Sequence, residues 1–144
     1  MKFLLPSVCL SAALFAGIAS VQADVPRTSA PAGAQVYFIE PADGAEVGQT
    51  FTVKFGLKGM GVAPAGVDVP DTGHHHLLID VDQMPALDQP LPTSDAVRHF
   101  GKGQTETEVT LTPGKHTLQL VVGDKNHVPF DPPVVSEKIT VTVK

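Results

Sequence analysis

The eight residues Phe51-Thr52-Val53-Lys54-Phe55-Gly56-Leu57-Lys58 alternate large apolar side chains with polar or small ones without interruption. Successive side chains of a β-strand point to opposite faces, so all four large apolar residues of this stretch share one face. Such a strand covers a core on one side and meets solvent on the other, which is the pattern of antiparallel sheets. The stretch therefore predicts an antiparallel β-sheet protein.

Further strands are predicted on both sides of this stretch. They are short, rich in β-branched residues and bounded by turns that contain glycine or proline. Their ranges are 36–39, 74–81, 105–111, 116–122 and 135–143, with a short edge strand or helical turn within 82–104. Because no amphipathic helix accompanies them, the chain is predicted to be all-β, an antiparallel immunoglobulin-like β-sandwich of six to eight strands.

The N-terminal segment has the pattern of a secretory signal peptide, with a mostly apolar run that ends at the small residue Ala23. This run is shorter than a membrane span, so no membrane insertion is expected after signal cleavage. The sequence predicts a signal peptide over 1–23, a flexible lead-in over 24–34 and one sandwich domain over 35–144. We therefore expect a periplasmic or secreted protein.

Charge and motif content restrict the partners. Without the predicted signal peptide the chain has nine basic and fifteen acidic residues, a formal net charge of −6 with neutral histidines. Nucleic acids and anionic membranes select basic patches, so neither is expected as a partner. No nucleophile elbow, P-loop, dinucleotide-binding or His-Glu-x-x-His motif occurs, and we expect a protein that is not an enzyme.

Three of the six histidines are consecutive and begin a predicted strand, His74-His75-His76. Because side chains alternate along a strand, His74 and His76 should share one face. His75 should lie on the other face with Leu77 and Ile79, on the side of the core.

Strand direction predicts where the other histidines lie. In a sandwich whose consecutive strands run up and down, the loops alternate between its two ends. The loop before the histidine strand and the loop after the strand that begins at His116 then share one end. This brings Met60, His99 and His127 to the histidine pair, and places His116 at the opposite end near Asp80.

The predicted cluster has the composition of a transition-metal site. Neutral imidazole is the commonest metal ligand near neutral pH, and nitrogen sites bind copper most tightly among the first-row divalent ions. Zinc would accept three histidines and a water. The only cysteine, Cys9, lies in the predicted signal peptide, and we rank copper before zinc as the cofactor. The predicted ligands are His74, His76, His99 and His127, with Met60 as an extra ligand.

Two functions remain open on this basis. The first is periplasmic binding or carriage of the metal ion, which is then the partner. In the second, the imidazoles form a hydrogen-bond network that ties the loops to the sandwich. The protein would then be a structural or interaction module that recognises an envelope protein or glycan through apolar loop residues. Those residues are Val62, Val67, Val69 and Leu91.

Four stretches of the predicted mature chain have distinctive sequences. They are FTVKFGLKGMGVAPAGVD, TGHHHLLID, HFGKGQTETEVTL and PGKHTLQLVVGDKNHVPFDPPVVSEKITVTV. Together they resemble a family of small exported bacterial domains that is catalogued as a domain of unknown function. The resemblance covers about Ile39 to Lys144, and its most specific motif is GHHHLLID. It implies an immunoglobulin-like β-sandwich and brings no established activity.

Overall fold

The structure, a computed structural model, describes residues 26–144, and the predicted signal peptide lies outside this range. Within it the chain forms nine strand segments and no helix, so no helix there could cross a membrane. The segments are β1 (Gln35–Glu40), β2 (Glu46–Val47), β3 (Thr50–Lys58), β4 (Gly61–Val62), β5 (Thr72–Ile79), β6 (Val97–His99), β7 (Glu106–Thr110), β8 (Gly114–Gly123) and β9 (Ile139–Val143). β2 and β4 have only two residues each, so the seven longer segments fall within the expected number of strands. The all-β prediction is confirmed.

The strands form two sheets that pack face to face. β1, β3 and β7 form one sheet, and the second has the order β2-β9-β8-β5-β4, with β6 also paired to β5. All pairs are antiparallel except β2 with β9 and β4 with β5. Immunoglobulin domains have strands A, B, E and D in one sheet and C, F and G in the other. Here β1, β3 and β7 lie in the order of A, B and E, and β9, β8 and β5 lie in the order of G, F and C. The predicted sandwich is therefore confirmed.

The main hydrophobic core lies between the two sheets. Its fully buried members include Val53 on β3, Leu77 on β5, Leu120 on β8 and Val141 on β9. Burial of one such side chain contributes about 1.5–3 kcal/mol. The alternation of apolar residues therefore fixes which face of each strand turns inward.

A second, smaller core covers the outer face of β5 and β8. It consists of Leu78, Leu91, Val97 and Val121. Leu91 comes from the irregular segment 82–96, and its amide donates to the carbonyl oxygen of His127 at 2.9 Å. This segment is a cover over the sheet, and Leu91 is only 6% exposed. The expectation that Leu91 presents an apolar side chain to a partner is therefore wrong.

The last strand is shorter than the predicted range 135–143. The hydroxyl of Ser136 accepts a hydrogen bond from the amide of Leu120 at 2.9 Å, where a main-chain carbonyl would accept it in a regular ladder. Only an isolated bridge between Val121 and Val135 remains before the pairing of β9 with β8. A side-chain hydrogen bond thus replaces regular pairing over 135–138.

The lead-in is bonded to the domain where the structure describes it. The amide of Ala30 donates to the carbonyl of Asp131, and the amide of Asp131 donates to the carbonyl of Thr28, both at 2.9 Å. Arg27 forms an ion pair with Asp131 at 3.3 Å. Composition alone predicts a flexible segment here. It does not reveal these bonds, because their partners come from a loop that is distant in sequence.

His116 lies at the other end of β5, as predicted. Its Nδ1 is 2.6 Å from Oδ2 of Asp80, and its Nε2 is 2.8 Å from the carbonyl oxygen of Thr112. The hydrogen bond to Asp80 raises the pKa of His116 above its usual value. Both ring nitrogens have protein partners, and the predicted position of His116 near Asp80 is confirmed.

Candidate metal centre

The three consecutive histidines of β5 lie in two different environments. His75 lies on the side of the main core, and its ring centroid is 5.1 Å from that of Phe55. His74 and His76 lie on the outer face, the same face as Leu78 of the second core. The division predicted from the alternation is confirmed.

Four imidazoles form a compact group on this outer face, here called the histidine cluster. Its members are His74, His76, His99 and His127. Their ring centroids are separated by 4.6 Å for the closest pair, His99 and His127, and by 6.2 Å for the most distant pair, His76 and His127. The structure therefore brings together all four histidines that the sequence predicts as ligands.

The cluster lies on the face of the larger sheet, near the end where β5 begins. His99 is not in a loop, because β6 pairs with β5 and sets His99 directly opposite His76. His127 comes from the loop after β8, where it has a positive φ of 68°. His74 and His76 are strand residues as predicted, and His127 comes from a loop as predicted, whereas His99 lies on a short strand and not in a loop.

Two glycines allow the rings to approach the backbone. A Cβ atom at Gly123 would lie 2.8 Å from Cε1 of His76, and one at Gly101 would overlap the ring of His99. Real Cβ atoms essentially never approach a neighbour so closely. The two positions therefore accept only glycine while the rings keep their places.

A short segment, 63–66, ties together the three chain segments that carry the cluster. The amide of Ala63 donates to Gly73, beside His74, at 2.9 Å. The amide of Ala65 donates to Gly101 at 2.9 Å, and the amide of Gly66 donates to Lys125 at 3.0 Å. Each acceptor lies within two residues of a cluster histidine. The glycines and prolines of this connection predict a loop, but they do not predict that it braces the cluster.

Five of the eight ring nitrogens of the cluster are buried without protein partners among the described residues. His74 and His76 are 0% exposed, whereas His99 and His127 are partly exposed. Within residues 26–144, neither ring nitrogen of His74 or His76 has a hydrogen-bond partner, nor does Nε2 of His99. A buried polar atom left without a partner costs about 1–3 kcal/mol. The described residues therefore do not form the hydrogen-bond network that the second hypothesis expects around these atoms.

Burial keeps these imidazoles neutral. Desolvation lowers the pKa of His74 to about 4 and that of His76 to about 3, and the neighbouring imidazoles add to the lowering. Desolvation also lowers the pKa of His75 to about 4 and that of His99 below its usual value. Main-chain groups near His75 and His76 raise the pKa of these two residues, but this is the smallest of the contributions. These groups do not reach hydrogen-bond geometry. At pH 7 the rings are in the form that binds metal ions.

Three members of the cluster converge on one point. One ligand atom from each of His74, His99 and His127 lies within 4.8 Å of the others. Metal–nitrogen bonds of 2.0–2.1 Å at tetrahedral angles would place these atoms about 3.4 Å apart, so each needs to move by less than about 1 Å. His76 belongs to the cluster but not to this converging group. The geometry thus offers three ligands and one further imidazole beside them.

Met60 is not part of the cluster. It is partly buried and packs against the main core, on the opposite face of the larger sheet from the cluster. A flexible thioether fills irregular gaps in cores well. The structure shows a packing contact for Met60, and its role as an extra ligand stays a prediction.

His75 is expected to reduce the stability of the fold. It is 0% exposed, and neither of its ring nitrogens has a partner within the described residues. We expect His75→Leu to raise the free energy of unfolding by about 1–3 kcal/mol, because the variant removes two unpartnered polar atoms from the core. Urea denaturation at pH 7 measures the change.

His116→Leu serves as the control, and it should destabilise the protein because it breaks two hydrogen bonds. A less stable His75→Leu variant would show that the ring has a partner or a packing role that leucine cannot supply.

A comparison with protein families gives a match over most of the domain. A family model described as Domain of unknown function (DUF4399) matches residues 53–144. The chain belongs to this family. The DUF4399 match begins within β3 and includes all six histidines, Met60 and both glycines that contact the cluster. No curated protein and no solved structure matches the chain.

Proposed function

We propose that this protein binds a transition-metal ion through His74, His99 and His127, with His76 beside them as a fourth imidazole. The observation that carries the proposal is the convergence of three ligand atoms within 4.8 Å in a cluster whose buried nitrogens have no protein partner among the described residues. A bound ion would be the partner that these atoms otherwise lack.

The donor set favours copper and then zinc. Nitrogen sites follow the order of divalent ions in which copper is highest, and Zn²⁺ accepts three histidines with a fourth position left open. Because His99 and His127 are partly exposed, an ion can reach the cluster from solvent on their side. The function proposed is binding or carriage of copper, with zinc as the second choice, in the periplasm or outside the cell.

The experiment uses untagged protein with its native residues, since an added histidine tag would bind the same ions. Cu(II), Cu(I) and Zn(II) are titrated separately against competing chelators of known affinity. We expect one ion per chain, bound with submicromolar affinity, and unchanged binding in a His116→Ala control. This control removes a histidine that lies outside the cluster and has two protein partners.

The alternative is a structural or interaction module without a metal. The observation that favours it is the exposure of two valines at the tip of the loop before β5, Val67 at 40% and Val69 at 50%. An apolar loop tip of this kind can contact an envelope protein. If none of the three ions binds with submicromolar affinity, the metal proposal fails and this alternative becomes the better reading.

A further inference from the structure

Asp124 is a buried acidic group beside the histidine cluster that neither proposal uses. It is only 4% exposed, and none of the five ion pairs found within residues 26–144 includes it. Burying a charged group without an opposite charge is costly, so such groups are normally paired or bound to a metal. Asp124 is thus a buried acidic group without an ion-pair partner among the described residues.

The carboxylate holds the loop that carries His127. Its Oδ1 accepts hydrogen bonds from the amides of Asn126 at 2.8 Å and Val128 at 3.0 Å. Its Oδ2 accepts one from the hydroxyl of Thr28 at 2.6 Å. These bonds surround His127, whose left-handed backbone conformation is uncommon for a residue with a side chain. Asp124 therefore fixes the direction in which this imidazole leaves the loop.

The same carboxylate lies close to the other ligands. Asp124 directly follows Gly123, which pairs with His74 in the register of β5 and β8. A Cβ at Gly123 would also contact His76 and the backbone of His127. In agreement with this placement, the charge of Asp124 partly opposes the lowering of the pKa of His74. A group of neutral imidazoles thus has one buried negative charge beside it.

We propose that Asp124 is the positioning residue of the metal site and supplies the buried negative charge that balances the bound cation. This inference rests on the proposed function. Two effects follow from it. The carboxylate preorganises His127, which lowers the cost of ordering the ligands. Its charge attracts a divalent ion more strongly than a monovalent one, because the electrostatic energy is proportional to the charge of the ion.

The test compares Asp124→Asn with Thr28→Val in the full chain. Asparagine retains a side-chain oxygen that accepts the two amide bonds, and it removes the charge. The valine variant removes only the hydroxyl bond and keeps the charge. Cu(II) and Cu(I) affinities are measured for the wild type and for both variants, with competing chelators. Thermal melting and near-UV circular dichroism verify the fold.

We expect Asp124→Asn to weaken Cu(II) binding about 10–100-fold, the effect typical of groups that hold metal ligands in place. Cu(I) binding should weaken about tenfold less, which corresponds to a rise of about 59 mV in the potential of the bound ion. Thr28→Val should change the two affinities by equal and small factors. Asp124→Ser, which can also accept the amide bonds without charge, provides the same comparison if the asparagine variant does not fold.

The outcomes separate this inference from the proposed function. If wild-type protein binds neither copper nor zinc, the proposed function fails and this inference fails with it. If it binds zinc but no copper, a Zn(II) affinity that Asp124→Asn leaves unchanged overturns the role of Asp124. If wild-type protein binds copper but the neutral variants bind both oxidation states as tightly as before, only the role of Asp124 is overturned. An equal loss for Cu(I) and Cu(II) would reject charge balance and leave only the positioning of His127.

Discussion

Acidification from pH 7 to pH 5 is expected to remove on the order of 5 kcal/mol of stability from the metal-free protein. His74, His75 and His76 are fully buried, and their pKa values are lowered to about 4, 4 and 3 from an unfolded value near 6.5. The unfolded chain therefore binds protons first, and the stability that these groups contribute is complete above about pH 6.5 and is lost as the pH falls. Each group loses about 2 kcal/mol by pH 5.

A loss of this size is comparable with the total stability of a small domain, about 5–15 kcal/mol. We expect the urea midpoint to fall steeply between pH 6.5 and pH 4. The slope of the unfolding free energy against pH should correspond to up to three protons taken up on unfolding. His75→Leu should reduce this number by one, since it removes one of the three buried groups. Unfolding free energies that stay constant down to pH 5 would show that these rings are not buried as neutral groups.

Replacing both partly exposed members of the converging group, in His99→Ala/His127→Ala, is expected to abolish tight metal binding. Two of the three converging ligand atoms are lost. Loss of groups that merely orient metal ligands already costs about 10–100-fold in affinity, so loss of two direct ligands should cost more than 100-fold. The measurement is competition with a chelator for Cu(II) and Zn(II). This pair is chosen because both residues are partly exposed, so their removal disturbs the core less than removal of His74 or His76, which are fully buried.

The matched control is again His116→Ala, which removes an imidazole that already has two protein partners. A melting temperature close to that of the wild type verifies that the double variant is folded. Unchanged metal affinity in a folded double variant would contradict the assignment of these ligands. Reduced affinity in the control would indicate that the ions bind histidines non-specifically.

The sequence predicts the sandwich well because apolar and polar side chains alternate along its strands. β3 was recognisable from Phe51 to Lys58, and the structure pairs this strand on both sides. The same period places His75 opposite to His74 and His76 on β5. Alternation is a local property with a strong energetic cause, the burial of one face, and it therefore survives folding almost unchanged.

The sequence predicts the site less completely because several of its contacts are long-range. The pairing of β6 with β5 puts His99 opposite His76, but three residues of an edge strand carry no clear pattern. The role of Asp124 was missed because it depends on amides of its own loop and on Thr28. The only local signal was Gly123-Asp124 at the end of a predicted strand, which is typical of an ordinary turn. The packing of Met60 against the main core could not be predicted, because strand order predicts where a loop lies but not which way a side chain points.

The placement of three histidines in succession on β5 also affects the unfolded chain. When the protein unfolds, the cluster is dispersed, but His74, His75 and His76 remain neighbours in sequence and can chelate an ion together. Binding to the unfolded state reduces the stabilisation that a ligand gives to the folded state. A metal ion should therefore raise the melting temperature by less than its affinity implies. On the proposed function, the same local run would let the chain capture a metal ion before the sandwich has closed around it.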